Sequence, residues 1–170
     1  GVAVVTGGRR GIGAATCRHL ADVGFDIAVL DIVNGDDGEA VVSEIKGLGR
    51  QAKFYNADIS ALPSHASVVE SILSDLGDIT CLVNNAGIQV PVRRDILEET
   101  PDSFDKVVAV NLRGTFFFTQ AVARQMLHAK NRSVARNIVF ITSANAQMAS
   151  PEKSSYCASK SALSMVSKLF

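Results

Sequence analysis

Apolar runs alternating with amphipathic helical stretches predict an α/β fold: a doubly wound parallel sheet with helices on both faces. Three observations carry this reading. Five apolar or β-branched runs, at 2–5, 25–30, 51–56, 79–83 and 137–142, are separated by segments with helical spacing. That alternation implies right-handed crossovers between parallel strands. The first run leads into Thr6-Gly7-Gly8-Arg9-Arg10-Gly11-Ile12-Gly13, a glycine turn that opens a helix. Polar residues (Asp31, Asn84-Asn85 and Ser143) stand at the C-terminal ends of the later runs, the edge where open parallel sheets take their ligands.

Composition narrows the function classes. The chain has 170 residues, 47% hydrophobic and 20% charged, which is enough for one domain with a proper core. Net charge is zero, so neither nucleic acid nor an anionic membrane is expected as a partner. Arg9-Arg10 and Arg93-Arg94 are pairs rather than patches. Cys17, Cys81 and Cys157 lack metal-ligand spacing and read as apolar residues of a reducing compartment. His19, His65 and His128 are scattered, so no metal site is expected. The apolar stretches are too short to span a bilayer, and no signal peptide precedes the first strand, although a short leader before Gly1 is possible. The expected location is the cytoplasm.

Each element has its own signals. Residues 2–5 read as a strand covered on both faces. The helix over 14–23 ends at Gly24. With a strand before and a helix after, the glycines permit close approach of a pyrophosphate to a helix N-terminus. Asp31 ends the second strand, placed to accept hydrogen bonds from an adenosine ribose and to repel a 2′-phosphate, which favours NAD. Arg10 pulls the other way, toward NADP, and Asp31 is alternatively a simple cap. The helix over 36–48 turns Val41, Val42, Ile45 and Leu48 inward. Ser60 is the expected cap of the helix over 63–76, and Asp58 is either an adenine contact or a turn aspartate.

Asn84-Asn85-Ala86-Gly87 closes the fourth strand as a turn or as amides turned to a cofactor. Thr100-Pro101-Asp102 opens a helix running to about Leu127, with cap, proline and acid in order. Asn111 sits on its apolar stretch as a structural bracket or part of a polar relay, and Phe116-Phe117-Phe118 as core and helix interface. Residues 129–136 form a basic, polar loop. The run 138–141 reads as a buried strand, and Ser154-Ser155 begin the last helix. On it Tyr156 and Lys160 lie one turn apart on one face. A neighbouring ammonium favours the ionised form of a phenol, which can then exchange a proton with an alcohol or carbonyl oxygen. Ser143, just upstream, is placed to hold that oxygen.

Taken together, Thr6-Gly7-x-x-x-Gly11-x-Gly13, Asp58, Asn84-Asn85-Ala86-Gly87, Asn111, Ser143 and Tyr156-x-x-x-Lys160 resemble the short-chain dehydrogenase/reductase family, in its Rossmann-only branch. The glycine loop and second strand look most like the 3-oxoacyl-carrier-protein reductase group, which also holds sugar and polyol dehydrogenases with Asp at the position of Asp31. The resemblance implies an NAD(P)-dependent oxidoreductase acting on a secondary alcohol or its ketone. Tyr156 would be general acid and base, Lys160 would lower its pKa and bond the nicotinamide ribose, Ser143 would orient the substrate oxygen, and Asn111 would hold a water in a proton relay. Gly7, Arg10, Gly11, Ile12, Gly13, Asp31, Asp58, Ile59, Asn85, Ala86 and Gly87, with Tyr156 and Lys160, would line the cofactor site. The family pairs helices corresponding to 102–127 and 155–170 in homodimers or homotetramers.

The resemblance also implies a sixth strand and a Pro-Gly segment beyond Phe170. The single dinucleotide-binding domain over 1–170 is therefore expected to be incomplete at its C-terminal side, with an unpaired edge on the fifth strand. Activity of these residues alone is not expected. Two other classes remain: a nucleotide-binding sensor without turnover, against which an intact Ser143, Tyr156 and Lys160 speaks, and an inactive truncated form that only dimerises.

Overall fold

In the computed structural model, which describes residues 1–129, 131 and 133–170, β1 (Val2–Thr6), β2 (Asp26–Asp31), β3 (Ala52–Asn56), β4 (Ile79–Asn84) and β5 (Asn137–Phe140) form one parallel sheet. Its order is β3-β2-β1-β4-β5. The chain steps outward from β1 to β3 and then returns past β1 to β4, so the winding reverses between β1 and β4. A crevice opens at such a reversal, above the C-terminal strand ends.

Both faces are covered. Ala14, Cys17 and Ala21 of α1 (Gly11–Asp22) pack with Val41, Val42 and Ile45 of α2 (Asp36–Gly47) against Ala3, Val5, Ile27 and Val29. Val69 and Ile72 of α3 (His65–Leu76) meet Val4, Leu30 and Leu82 on the other face. There they are joined by Phe118 and Val122 of α5 (Thr115–His128). The odd and even residues of each strand serve different layers because the pleat alternates them. The all-buried β1 sits at the centre.

Several local expectations change. α1 begins at Gly11, three residues earlier than its apolar spacing suggested, because Arg10 is extended while its carbonyl already accepts from Ala14 N–H at 3.2 Å. Leu48 is not inward: it follows the last turn of α2 and is half exposed. Ser60 caps no helix. Its N–H and hydroxyl both bind Asp58 Oδ1, at 2.8 and 2.7 Å, and a 3-10 turn over Leu62–Ser64 intervenes before α3.

The long helix opened by Thr100, whose Oγ1 accepts from Ser103 N–H at 3.3 Å, is not uniform. It runs as α4 (Pro101–Val108), a π-helical segment Ala109–Gly114, and α5. The Thr115 hydroxyl donates to Val110 O at 3.2 Å, within the widened turn. Gly114 lacks a side chain where a Cβ would strike Ile59 O, so the helix passes close to the segment after β3. Of the three consecutive phenylalanines, Phe118 is core and Phe117 is 40% exposed.

β5 ends at Phe140 and is only half covered, with Val139 42% exposed. It is an edge strand among the described residues, which accounts for the exposure of a run that reads as buried. α6 (Ser154–Val166) carries Tyr156 and Lys160 and stops four residues before Phe170. Within the basic loop, Lys130 and Arg132 lie outside the described residues. No described helix is long and apolar enough to cross a membrane.

Candidate functional site

A cleft of about 440 Å³ lies at the β1/β4 reversal, lined by Gly7, Arg10, Gly11, Ile12, Gly13, Asp31, Asp58, Ile59, Asn85, Ala86 and Gly87. It thus gathers the whole set proposed to line a cofactor site, apart from Tyr156 and Lys160. The glycine loop is shaped for close approach: Gly7 and Gly11 have φ of +65° and +56°, where a side chain would be strained. Gly13 packs so tightly that a Cβ would penetrate Gly7 O. Thr6 locks the two strand ends together, its hydroxyl accepting from Asn85 N–H and Ala86 N–H, each at 3.0 Å. The Asn85 amide donates to Thr6 O at 2.9 Å and Gly7 O at 3.0 Å. Its NH₂ is therefore spent on holding the loop, and only its oxygen remains for a ligand.

Asp31 is not solitary. The Arg9 guanidinium lies 3.7 Å from its Oδ1 and 2.7 Å from Asp37 Oδ2, and the backbone N–H of Arg9 and of Val33 also point to the Asp31 carboxylate, at 3.4 and 3.1 Å. The neighbour of Asp31 is thus Arg9, not the exposed Arg10. The Arg9 Nε is buried with no hydrogen-bond partner among the described residues. Composition and spacing gave no reason to separate these two adjacent arginines; only the loop's course does so.

A second corner forms where α6 meets the π-helical segment and the ends of β4 and β5. Lys160 is 4% exposed, its Nζ donates to Ile141 O at 2.8 Å, and it lies 5.9 Å from the centroid of the Tyr156 ring. Burial pulls the Lys160 amine below the ordinary lysine range. Gly87 borders the same corner, since a Cβ there would stand 3.3 Å from Asn111 Oδ1 and 3.4 Å from Lys160 Nζ. Asn111 is fully buried. Its Oδ1 accepts from Ile88 N–H at 2.7 Å, while Nδ2 donates to Ile88 O at 2.9 Å and to Ser159 Oγ at 3.1 Å. Ser159 in turn donates to Tyr156 O at 2.8 Å.

Tyr156 is half-buried, and no described residue binds its hydroxyl. Ser143 follows β5 by three residues, and its Oγ accepts from Asn145 N–H at 3.1 Å. The turn it starts is tied to α6 by Ser161, whose hydroxyl donates to Ala146 O at 2.7 Å. Gly87 thus lies beside both Asn111 and Lys160, and Lys160 beside the Tyr156 ring, while Ser143 belongs to the turn that Ser161 ties to α6. Ser159 and Ile88 were missed as members of this corner. Ser159 sits inside Tyr156-x-x-x-Lys160, so its helical phase was the available signal.

The whole chain, residues 1–170, matches the family model described as short chain dehydrogenase. It is 33% identical over 169 residues to 2-dehydro-3-deoxy-D-gluconate 5-dehydrogenase of Dickeya dadantii, covering 99% of this chain and 63% of that protein. It is 35% identical over 159 residues to a 3-oxoacyl-[acyl-carrier-protein] reductase of Staphylococcus epidermidis, covering 93% and 62%. Among solved structures, the 3-oxoacyl-[acyl-carrier protein] reductase from Brucella melitensis in complex with NAD superposes with a TM-score of 0.92 at 46% identity, covering 96% of this chain and 64% of that one. The chain thus spans less than two thirds of the length of each of these relatives. A match over every residue, with the reversal cleft and the Tyr156–Lys160 corner in place, shows that the chain belongs to the short-chain dehydrogenase family.

Proposed function

We propose that the protein containing this chain is an NAD-dependent oxidoreductase that interconverts a secondary alcohol and its ketone. The observation that carries this is the buried Lys160 amine beside the Tyr156 ring, in a corner shared with Asn111 and Gly87 next to the reversal cleft. The cleft fits a dinucleotide: its loop is packed too closely at Gly7 and Gly13 for a side chain, and α1 opens there with no side-chain cap and the positive end of its dipole. NAD, when bound, supplies or accepts the hydride.

The residues of the chain handle everything else. Gly7, Arg10, Gly11, Ile12, Gly13, Asp31, Asp58, Ile59, Asn85, Ala86 and Gly87 hold the cofactor. Asp31 faces the adenosine ribose. In ketone reduction the Tyr156 hydroxyl gives its proton to the substrate oxygen as negative charge develops there; in alcohol oxidation the phenolate takes it back. Lys160 favours that phenolate and bonds the nicotinamide ribose. Ser143 donates to the same substrate oxygen, fixing its orientation. To Asn111 falls the holding of a water that links Lys160 to solvent, giving a proton relay.

The 46% identity with the Brucella reductase favours 3-oxoacyl thioesters, and the relation to the Dickeya enzyme supports sugar acids as the second class. Assembly through α4–α5 and α6 is supported by the exposed Phe117, Leu127 and Met165. The free thiols of Cys17, Cys81 and Cys157 support a reducing, cytoplasmic setting. The test is NADH oxidation by the complete protein against 3-oxoacyl thioesters, sugar acids and polyols. Turnover lost on Tyr156→Phe confirms the reading; absence of turnover with every class, despite tight NAD binding, favours a sensor instead.

A further inference from the structure

Glu99 stands outside the machinery above. It immediately precedes Thr100, the cap of α4, yet its carboxylate reaches across to α6, where Oε2 accepts from Ser154 Oγ at 2.8 Å and from Ser155 Oγ at 3.0 Å. Ser154 and Ser155 are the first two residues of α6. The helix has no cap of its own: Lys153 at the N-cap position offers no side-chain hydrogen bond, and no acid occupies the first turn. A helix start carries partial positive charge, which a carboxylate from elsewhere offsets, and the two hydroxyl bonds tie the first two residues of α6 to it. The hydroxyls of Ser103, Ser154 and Ser155 hold the Glu99 carboxyl down at about 2, keeping it an anion throughout the neutral range.

The position of the two site residues along α6 gives this contact a selective effect. Tyr156 is the third residue of the helix, in the turn that frays first when its start is released. Lys160 lies a turn deeper, buried and anchored on Ile141 O. Loosening the start of α6 therefore frees the phenol while leaving the amine in place. We infer that Glu99 is a positioning residue, an external cap supplied from the α4 side that fixes the first turn of α6 and with it the Tyr156 hydroxyl. This inference rests on the proton-transfer role proposed for Tyr156.

The test uses the complete protein with Glu99→Ala, Glu99→Asp and the double change Ser154→Ala with Ser155→Ala, which removes the contact from the opposite side. Because small misplacements of a reacting group cost up to about 100-fold, kcat is expected to fall ~10- to 100-fold in Glu99→Ala and in the serine double variant. KM for the ketone and the Kd for NAD are expected to stay within about twofold, and Glu99→Asp to recover part of kcat. Hydrogen exchange is expected to speed up at Ala158 and Ser159, whose N–H groups bond back to the first turn of α6, and not from Ala162 onward. Retained kcat with an unchanged first turn would overturn the inference, as would loss of NAD binding in both variants, which would mean that Glu99 supports the whole fold. The exchange measurement needs no turnover, so it tests the capping even where the wild-type protein proves inactive and the enzymatic reading fails.

Discussion

The side chain of Asn111 grips both backbone groups of Ile88, accepting from its N–H at 2.7 Å and donating to its carbonyl at 2.9 Å. A side-chain amide thereby replaces a neighbouring strand for the residue that leaves β4 beside the cleft. Removing it leaves a half-buried N–H and carbonyl of Ile88 unpaired at once, together with the buried Ser159. Asn111→Ala is expected to destabilise the fold by about 1–3 kcal/mol, read as a lower denaturant midpoint at unchanged slope. An unchanged midpoint would show that water takes over both Ile88 groups.

Tyr156→Phe removes one hydroxyl from a half-buried ring and leaves the Lys160 contact with Ile141 intact. Turnover is expected to drop by at least ~100-fold while NAD affinity, measured by calorimetry, stays the same. Full activity in the variant would remove Tyr156 from the chemistry.

Lys160 combines burial with a lowered pKa, and the sign of the resulting pH effect is definite. The unfolded chain keeps the ordinary lysine affinity for its proton while the folded chain binds it less well. Between the two pKa values the unfolded state holds more protons, so the Lys160 contribution becomes more favourable to folding as pH rises through the folded value. At neutral pH the charged amine is a cost to the fold. Lys160→Met is therefore expected to be inactive yet no less stable than wild type at pH 7, with its advantage shrinking toward pH 10, as followed by thermal unfolding. A large loss of stability at pH 7 would mean that the Ile141 bond outweighs desolvation.

The pairing of Arg9 with Asp31 bears on cofactor choice. Asp31 faces the cleft with both a cation and two backbone N–H groups near it, so its charge is partly offset, though a 2′-phosphate would still have to displace Arg9 from Asp31 and Asp37. NAD is expected to bind at least ~10-fold more tightly than NADP, and Asp31→Asn to narrow that ratio. Tighter NADPH binding by the wild type, abolished by Arg10→Ala, would reverse the assignment and restore Arg10 as the phosphate ligand.

Most of the architecture was legible because strand and helix periods differ and residues such as Gly7, Gly24 and Thr100 stand where the chain turns or a helix begins. Gly7, Gly11 and Gly13, Asp31, Asn85 and the Tyr156–Lys160 pair follow from one local rule each, strand then turn then helix, or one turn of a helix. What escaped depends on contacts between distant segments. Arg9 and Arg10 are equivalent until the loop's path assigns one to Asp31 and the other to solvent. Ser60 looks like a cap, but the short Asp58 side chain two residues before it captures both its N–H and its hydroxyl. Leu48 satisfies the apolar spacing of α2 yet follows its last turn. The bond from Glu99 to Ser154 and Ser155 spans more than fifty residues and leaves no periodic trace at all.

The widened turn over Ala109–Gly114 accommodates one residue more than an even α-helical winding would. Excising one residue there would restore even winding and leave Phe118 and Val122 facing the sheet, because the wide turn has already absorbed the extra step. What would be lost is the wide turn itself, and with it the placing of Asn111 opposite Ile88. A one-residue deletion in this stretch is therefore expected to cost the Asn111 contacts while sparing the packing of α5.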